Sequence, residues 1–139
     1  MTNKIEAIER QLIIESSQNK VWEALTNPDK LSQWFGQNAK FTLEPKSIGH
    51  FGWDNHGKFA MRIEQIQPKS YFAWRWMAKK DTPFDIDQTT LVEWKLKSLA
   101  PDKTELYMKE SGFKSPESRV DNDSGWNQEL DHLQELLNK

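Results

Sequence analysis

The C-terminal segment, residues 115–139, carries the longest amphipathic pattern in the chain. Its apolar side chains recur at the spacing of one helical face: Trp126, Leu130, Leu133, Leu136 and Leu137. Such a stripe is buried against another element in a folded protein. Ser115 can cap the first turn, and Pro116 suits the first helical position because its missing N–H would be unpaired there anyway. A polar run before Gly125 predicts that this helix kinks or restarts near Asp123.

The rest of the chain mostly alternates apolar and polar residues, which is typical of β-strands. Seven strands are predicted, at residues 4–15, 41–44, 48–54, 58–67, 71–78, 89–99 and 104–113. Short turn clusters separate most of the later strands, and this spacing favours an antiparallel sheet with one buried face. Because the C-terminal helix is the only long amphipathic element, we expect the sheet to curve around it.

Two short helices are predicted between the first two strands. Ser17 can cap the first, whose apolar residues are Val21, Trp22 and Leu25. Asn27 can cap the second, with Pro28 in its first turn. Its apolar face comprises Leu31, Trp34 and Phe35, and Gly36 is placed to end it. The predicted fold class is therefore α+β: one strand, two helices, six strands and a long helix.

Composition narrows the function classes. The chain has 139 residues, which is enough for one domain with a hydrophobic core. Its 19 basic and 21 acidic residues leave no basic excess, which argues against a general nucleic-acid binder. The absence of cysteine excludes disulfides and thiolate chemistry. Neither a signal-peptide core nor a membrane-spanning apolar run is evident, so we expect a cytoplasmic protein.

Four segments, in order, resemble the SRPBCC superfamily. They are Val21-Trp22-Glu23-Ala24-Leu25-Thr26-Asn27-Pro28 followed by Leu31, Trp34 and Phe35; Phe72-Ala73-Trp74-Arg75-Trp76; Thr104-Glu105-Leu106 running to Ser111-Gly112-Phe113; and Gly125-Trp126 with Leu130 and Leu133. The pattern is most similar to the C-terminal domain of the activator of heat-shock protein 90 ATPase. The resemblance implies one domain over residues 1–139 with a helix-grip (START or Bet v 1-like) fold, in which the sheet grips the last helix around an apolar cavity. It also implies a chaperone-linked, stress-response role, among several activities that this fold supports.

Aromatic residues are the strongest candidates for a binding site. Ten large side chains are expected to face the gap between sheet and helix: Trp34, Phe35, Phe51, Trp53, Phe59, Met61, Trp74, Trp76, Trp94 and Trp126. Rigid rings offer large contact areas to an apolar or flat ligand, and indole N–H groups can bind a polar end. An ordinary, large hydrophobic core would give the same pattern, so both interpretations stay open.

Two charged residues share a phase with buried neighbours. Arg10 shares a strand face with Ile8, Leu12 and Ile14, and Glu110 shares one with Leu106 and Met108. If the first and last strands pair, Arg10 and Glu110 could meet inside and anchor a ligand head group. The simpler interpretation, which we favour, is that they satisfy each other or lie at strand ends open to water.

Signals for metal, cofactor or nucleophilic chemistry are weak. His50, Asp54 and His56 lie in or near a turn, and zinc requires three or four closely placed ligands, so a solvated hairpin is favoured. Asp85 and Asp87 lie in a polar loop. No phosphate-binding loop or nucleophile elbow is present, and no cofactor is predicted.

The sequence therefore favours a non-catalytic binding domain that holds a small hydrophobic molecule or a partner protein such as a chaperone. The alternative is an enzyme of the polyketide cyclase or aromatase type that uses the same cavity with one or two polar residues as acid or base. No nucleic-acid partner is expected, and the pattern does not indicate whether the chain is a monomer or a dimer.

Overall fold

The computed structural model describes residues 5–138. Its elements, in order, are β1 (Ile8–Ile14), α1 (Gln18–Thr26), α2 (Pro28–Leu31), β2 (Asn38–Lys40), β3 (Ile48–Trp53), β4 (Gly57–Gln67), β5 (Tyr71–Met77), a 3-10 turn (Ile86–Gln88), β6 (Thr89–Ala100), β7 (Lys103–Ser111) and α3 (Pro116–Leu137). Within this part of the chain, no helix is long and apolar enough to cross a membrane.

All seven strands form one antiparallel sheet in the order β1-β7-β6-β5-β4-β3-β2. The first and last strands in the sequence pair directly, with Ile8 opposite Glu110 and Leu12 opposite Leu106. Side chains alternate between the two faces along each strand, so β7 buries Thr104, Leu106, Met108 and Glu110 in turn. This confirms the predicted α+β fold, a curved sheet wrapped around the C-terminal helix.

Helix α3 lies across the inner face of the sheet. The Ser115 hydroxyl accepts a hydrogen bond from the Ser118 amide and caps the first turn, as predicted. Trp126, Leu130 and Leu133 are buried. The stripe predicted from the sequence is therefore the surface by which α3 packs on the sheet.

Three predicted boundaries were wrong. The strand expected at residues 41–44 is at Asn38–Lys40, where Ala39 pairs with Phe51 of β3. The second short helix ends at Leu31 rather than at Gly36, and residues 32–35 form a turn. α3 is one helix with no restart near Asp123. Lys4, the predicted start of β1, lies outside the described residues.

Candidate functional site

The aromatic interior divides into a packed core and an open cleft. Five of the ten residues expected to line a cavity are buried in the core and do not line the cleft: Trp34, Phe51, Met61, Trp74 and Trp94. The Trp34 indole donates to the Ala24 carbonyl at 2.8 Å. Among the described residues, the indole N–H groups of Trp74 and Trp94 have no hydrogen-bond partner. These five side chains fill space between sheet and helix, away from the cleft.

The other five aromatic residues line a cleft of about 620 Å³ between α3 and strands β3 to β5. They are Phe35, Trp53, Phe59, Trp76 and Trp126. Phe35 is at the centre: its ring stacks on Trp126 at 5.2 Å and meets Trp53 edge-on at 5.0 Å. Phe59 in turn meets Trp53 edge-on at 5.6 Å. Contacts of this kind hold the rings in fixed orientations, so the cleft has preformed aromatic walls.

Two glycines shape the cleft. Gly36, directly after Phe35, has φ +70° and lies so close to the sheet that a Cβ would stand 2.5 Å from the Gly52 carbonyl oxygen. A larger residue there would displace Phe35. Gly125 is different, because it lies inside α3, lines the cleft, and a Cβ on it would meet no atom within 4 Å. Glycine costs a helix about 1 kcal/mol relative to alanine, and here no packing constraint requires it.

Glu110 is a buried carboxylate behind the cleft wall, with 0% exposure. Its Oε1 accepts from the Trp126 indole at 2.7 Å and its Oε2 from the Trp76 indole at 2.8 Å. The Asn122 amide donates to both oxygens, at 3.1 and 3.0 Å, and the Thr90 hydroxyl donates to Oε2. Indole and amide N–H groups can only donate, which suits the acceptor-only carboxylate form. All four donor residues line the cleft, so Glu110 fixes the position of its inner wall.

Arg10 does not meet Glu110. In the register of β1 and β7 it lies opposite Met108, and its guanidinium contacts Asp123 and Asn127 on α3. Among the residues described, Glu110 forms no ion pair. The two predicted polar anchors therefore act separately. Arg10 tethers α3 to the sheet edge, and Glu110 holds the cleft wall.

Glu129 is a second carboxyl group at the cleft. It lies on α3, lines the cleft, and accepts a hydrogen bond from the Gly36 amide at 3.2 Å. Partial burial raises its pKa, and the Gly36 amide, His132 and Trp53 offset only part of that effect. A carboxylate whose charge is poorly solvated is destabilising in the folded state above its raised pKa.

Replacing Glu129 with glutamine should therefore stabilise the fold in a pH-dependent way. Above the raised pKa the native protein carries the penalised carboxylate, so Glu129→Gln should raise Tm near neutral pH. As pH falls and native Glu129 takes up its proton, the difference should shrink. Thermal unfolding of both proteins between neutral and acidic pH measures this. A Tm gain that grows towards acidic pH would contradict the assignment.

The residues with weak metal signals are dispersed. His50 lies beside β2 in a separate groove, and its pKa is lowered by burial, then by Lys58 and Lys40. His56 lines the rim of the aromatic cleft instead. Within residues 5–138, no group of three or more His, Asp or Glu side chains could hold a metal ion.

Five polar residues that line the cleft were missed from the sequence: Thr90, Asp121, Asn122, Gln128 and Glu129. Asn122 and Glu129 lie on the polar side of the apparent helical stripe, and Thr90 precedes the clear alternation of β6. The phase of Glu110 among buried residues was the single available signal, because inward-facing charges need partners. Its partners become evident only when β5, β6, β7 and α3 are brought together.

Comparison with solved structures confirms the fold. MLL2253 from Mesorhizobium loti matches at 24% identity and TM-score 0.80, over 95% of this chain and 96% of that one. The Aha1 dimer from Colwellia psychrerythraea matches at 18% identity and TM-score 0.80, over 96% and 97%. DynU16, from the dynemicin biosynthetic locus, matches at 19% identity and TM-score 0.78, over 94% of this chain and 46% of that one.

No curated protein sequence matches the chain. A family description does match, and it spans residues 15–138, from the end of β1 to the end of α3. This range contains both short helices, the aromatic strands and the Gly125-Trp126 pair that carried the resemblance. The chain therefore belongs to the family described as Activator of Hsp90 ATPase homolog 1-like protein.

Proposed function

We propose that the chain binds a small hydrophobic molecule in the cleft between α3 and strands β3 to β5, without catalysing its conversion. The observation that carries this proposal is the set of five aromatic side chains that line a cleft of about 620 Å³, while the other four candidate aromatic residues and Met61 pack in the core. Ligand sites are typically concave, largely apolar and preformed, with a few polar groups that orient the ligand.

Two observations favour binding over catalysis. Both oxygens of Glu110 already accept hydrogen bonds from cleft-lining residues, so this carboxylate is poorly placed to accept a substrate proton. Asp121 and Glu129 are the other carboxyl groups at the cleft, and no serine, cysteine or lysine among the described lining residues stands beside them as a nucleophile, which gives little basis for cyclase chemistry. The open space beside Gly125 favours an occupant instead.

Filling that space should weaken ligand binding and leave the fold intact. Gly125→Leu introduces a good helix former where a Cβ meets nothing within 4 Å. We expect the free energy of unfolding to stay equal or rise by up to about 1 kcal/mol. Affinity for the neutral apolar fluorophore N-phenyl-naphthylamine should fall at least about tenfold, which corresponds to ~1.4 kcal/mol. Fluorescence titration and native mass spectrometry measure the binding.

The matched control is Ser124→Leu, on the neighbouring, exposed position of α3 that does not line the cleft. It should leave affinity unchanged. Failure of the unaltered protein to bind any apolar probe would overturn the proposal. Equal affinity of the two leucine variants would also overturn it, because the probe would then be bound elsewhere.

A chaperone partner is the second candidate, supported by the family match over residues 15–138. On this proposal the chain stimulates the ATPase activity of Hsp90 through direct contact. Purified Hsp90 titrated with the chain should show a rise in ATP turnover. Unchanged turnover at saturating concentrations, with no complex in a pull-down, would remove this candidate and leave the ligand proposal in place.

A further inference from the structure

We propose that the cleft selects organic cations: molecules with an apolar body and a quaternary or protonated amine. This inference rests on the proposed ligand-binding function and names the chemical class of the ligand. Its basis is the combination of five aromatic rings with carboxylates on and behind the same wall, and with no lysine or arginine lining the cleft within residues 5–138.

The charges around the cleft have one sign. Asp121 and Glu129 line the cleft directly. Glu110 is buried behind the cleft wall, where it accepts a hydrogen bond from the lining residue Asn122. Among residues 5–138, none of these three carboxyl groups forms an ion pair. In the part of the chain that the structure describes, the exposed His56 imidazole is the one basic group that lines the cleft. A fatty-acid carboxylate would therefore meet uncompensated negative charge on entry, whereas a cation would be attracted.

The aromatic walls add a second, independent preference. A cation over the face of an indole or phenyl ring is attracted by the ring quadrupole, by about 0.5–1 kcal/mol at exposed sites and ~2 kcal/mol when desolvated. Trp76 and Trp126, whose rings lie 6.1 Å apart, both donate their indole N–H to Glu110. A hydrogen bond to an anion shifts electron density into the ring and makes its face more negative. Glu110 is thus a positioning residue that strengthens these two faces.

Ligands that share one decyl chain and differ in charge test the inference on the intact protein. Decyltrimethylammonium, decan-1-ol and decanoate are titrated below their micelle concentrations, with Trp fluorescence or calorimetry as the readout. The expected order of affinity is the ammonium first, the alcohol next and the carboxylate last. The ammonium should bind at least about tenfold more tightly than the alcohol, equal to ~1.4 kcal/mol.

The outcomes separate this inference from the proposed function. If the alcohol or decanoate binds as tightly as the ammonium, the charge preference is overturned and the apolar site remains. If none of the three binds, the proposed function fails as well. If the ammonium binds equally well to Gly125→Leu, it lies outside the cleft and the inference is again overturned.

Two variants that each remove one negative charge from α3 test whether the preference for a cation arises at the cleft. Glu129→Gln keeps an acceptor for the Gly36 amide but removes the charge, so it should lower ammonium affinity severalfold and decan-1-ol affinity by a much smaller factor. Glu135→Gln removes the same charge from an exposed, non-lining position of α3 and should change neither. Equal loss of ammonium affinity in both variants would indicate non-specific attraction to an acidic surface and would overturn the proposal.

Discussion

Trp126→Ala should lower the free energy of unfolding by about 3–5 kcal/mol, the usual range for truncating a buried tryptophan. The indole is 2% exposed, stacks on Phe35 at an interplanar angle of 17°, and meets Trp94 edge-on at 5.6 Å. Its N–H also donates to Glu110. Its removal leaves a cavity at the junction of helix, core and cleft. Urea denaturation followed by circular dichroism measures the loss.

Val120→Ala provides the matched control, since Val120 lies on the same helix and is 63% exposed. Surface substitutions of this kind change stability by about 0.5 kcal/mol or less. A Trp126→Ala loss no larger than that of Val120→Ala would show that α3 does not pack on the sheet through this side chain.

Glu110→Ala should cost about 3 kcal/mol or more. The change leaves four donors without their acceptor: the indole N–H groups of Trp76 and Trp126, the amide of Asn122 and the hydroxyl of Thr90. Each buried, unsatisfied donor costs about 1–3 kcal/mol, and the four costs do not add fully because they share one site. Glu110→Gln retains one acceptor oxygen and should lose less. Denaturant unfolding measures both variants.

Glu105→Ala is the control on the same strand, because Glu105 faces outward and its carboxylate accepts from the partly exposed Gln11 amide. Its expected cost is about 0.5 kcal/mol. Equal losses at positions 105 and 110 would contradict the description of Glu110 as the acceptor that organises the inner wall.

Regular alternation and amphipathic stripes made most of the fold predictable. The alternation of apolar and polar residues is enough to predict β6, whose inward-facing residues include Val92, Trp94 and Leu96. The leucine stripe is enough to predict α3. β2 was misplaced because Asn38, Ala39 and Lys40 carry no apolar signal. This short edge strand exists because its backbone pairs with β3, a tertiary effect that overrides local pattern.

The alternation of residues along a strand could not show whether an inward-facing side chain lines the cleft or packs in the core. Trp74 and Trp76 lie two positions apart on β5 and face the same side of the sheet, yet only Trp76 reaches the cleft. The difference depends on position along the strand relative to α3, which sequence periodicity does not encode. The sequence also did not predict that α3 continues through the polar residues around Asp123. Arg10 on β1 supplies a partner for Asp123, and this contact is visible only in the folded structure.

The account depends most directly on an apolar ligand occupying the cleft beside α3. Indole ¹⁵N–¹H spectra of the tryptophan-labelled protein test this, because the chain has seven tryptophans distributed between cleft and core. Added N-phenyl-naphthylamine should shift the signals of Trp53, Trp76 and Trp126 and leave that of Trp22, which lies on α1 and does not line the cleft, unchanged. Unchanged signals for the three cleft indoles at saturation, or a shift confined to Trp22, would contradict it.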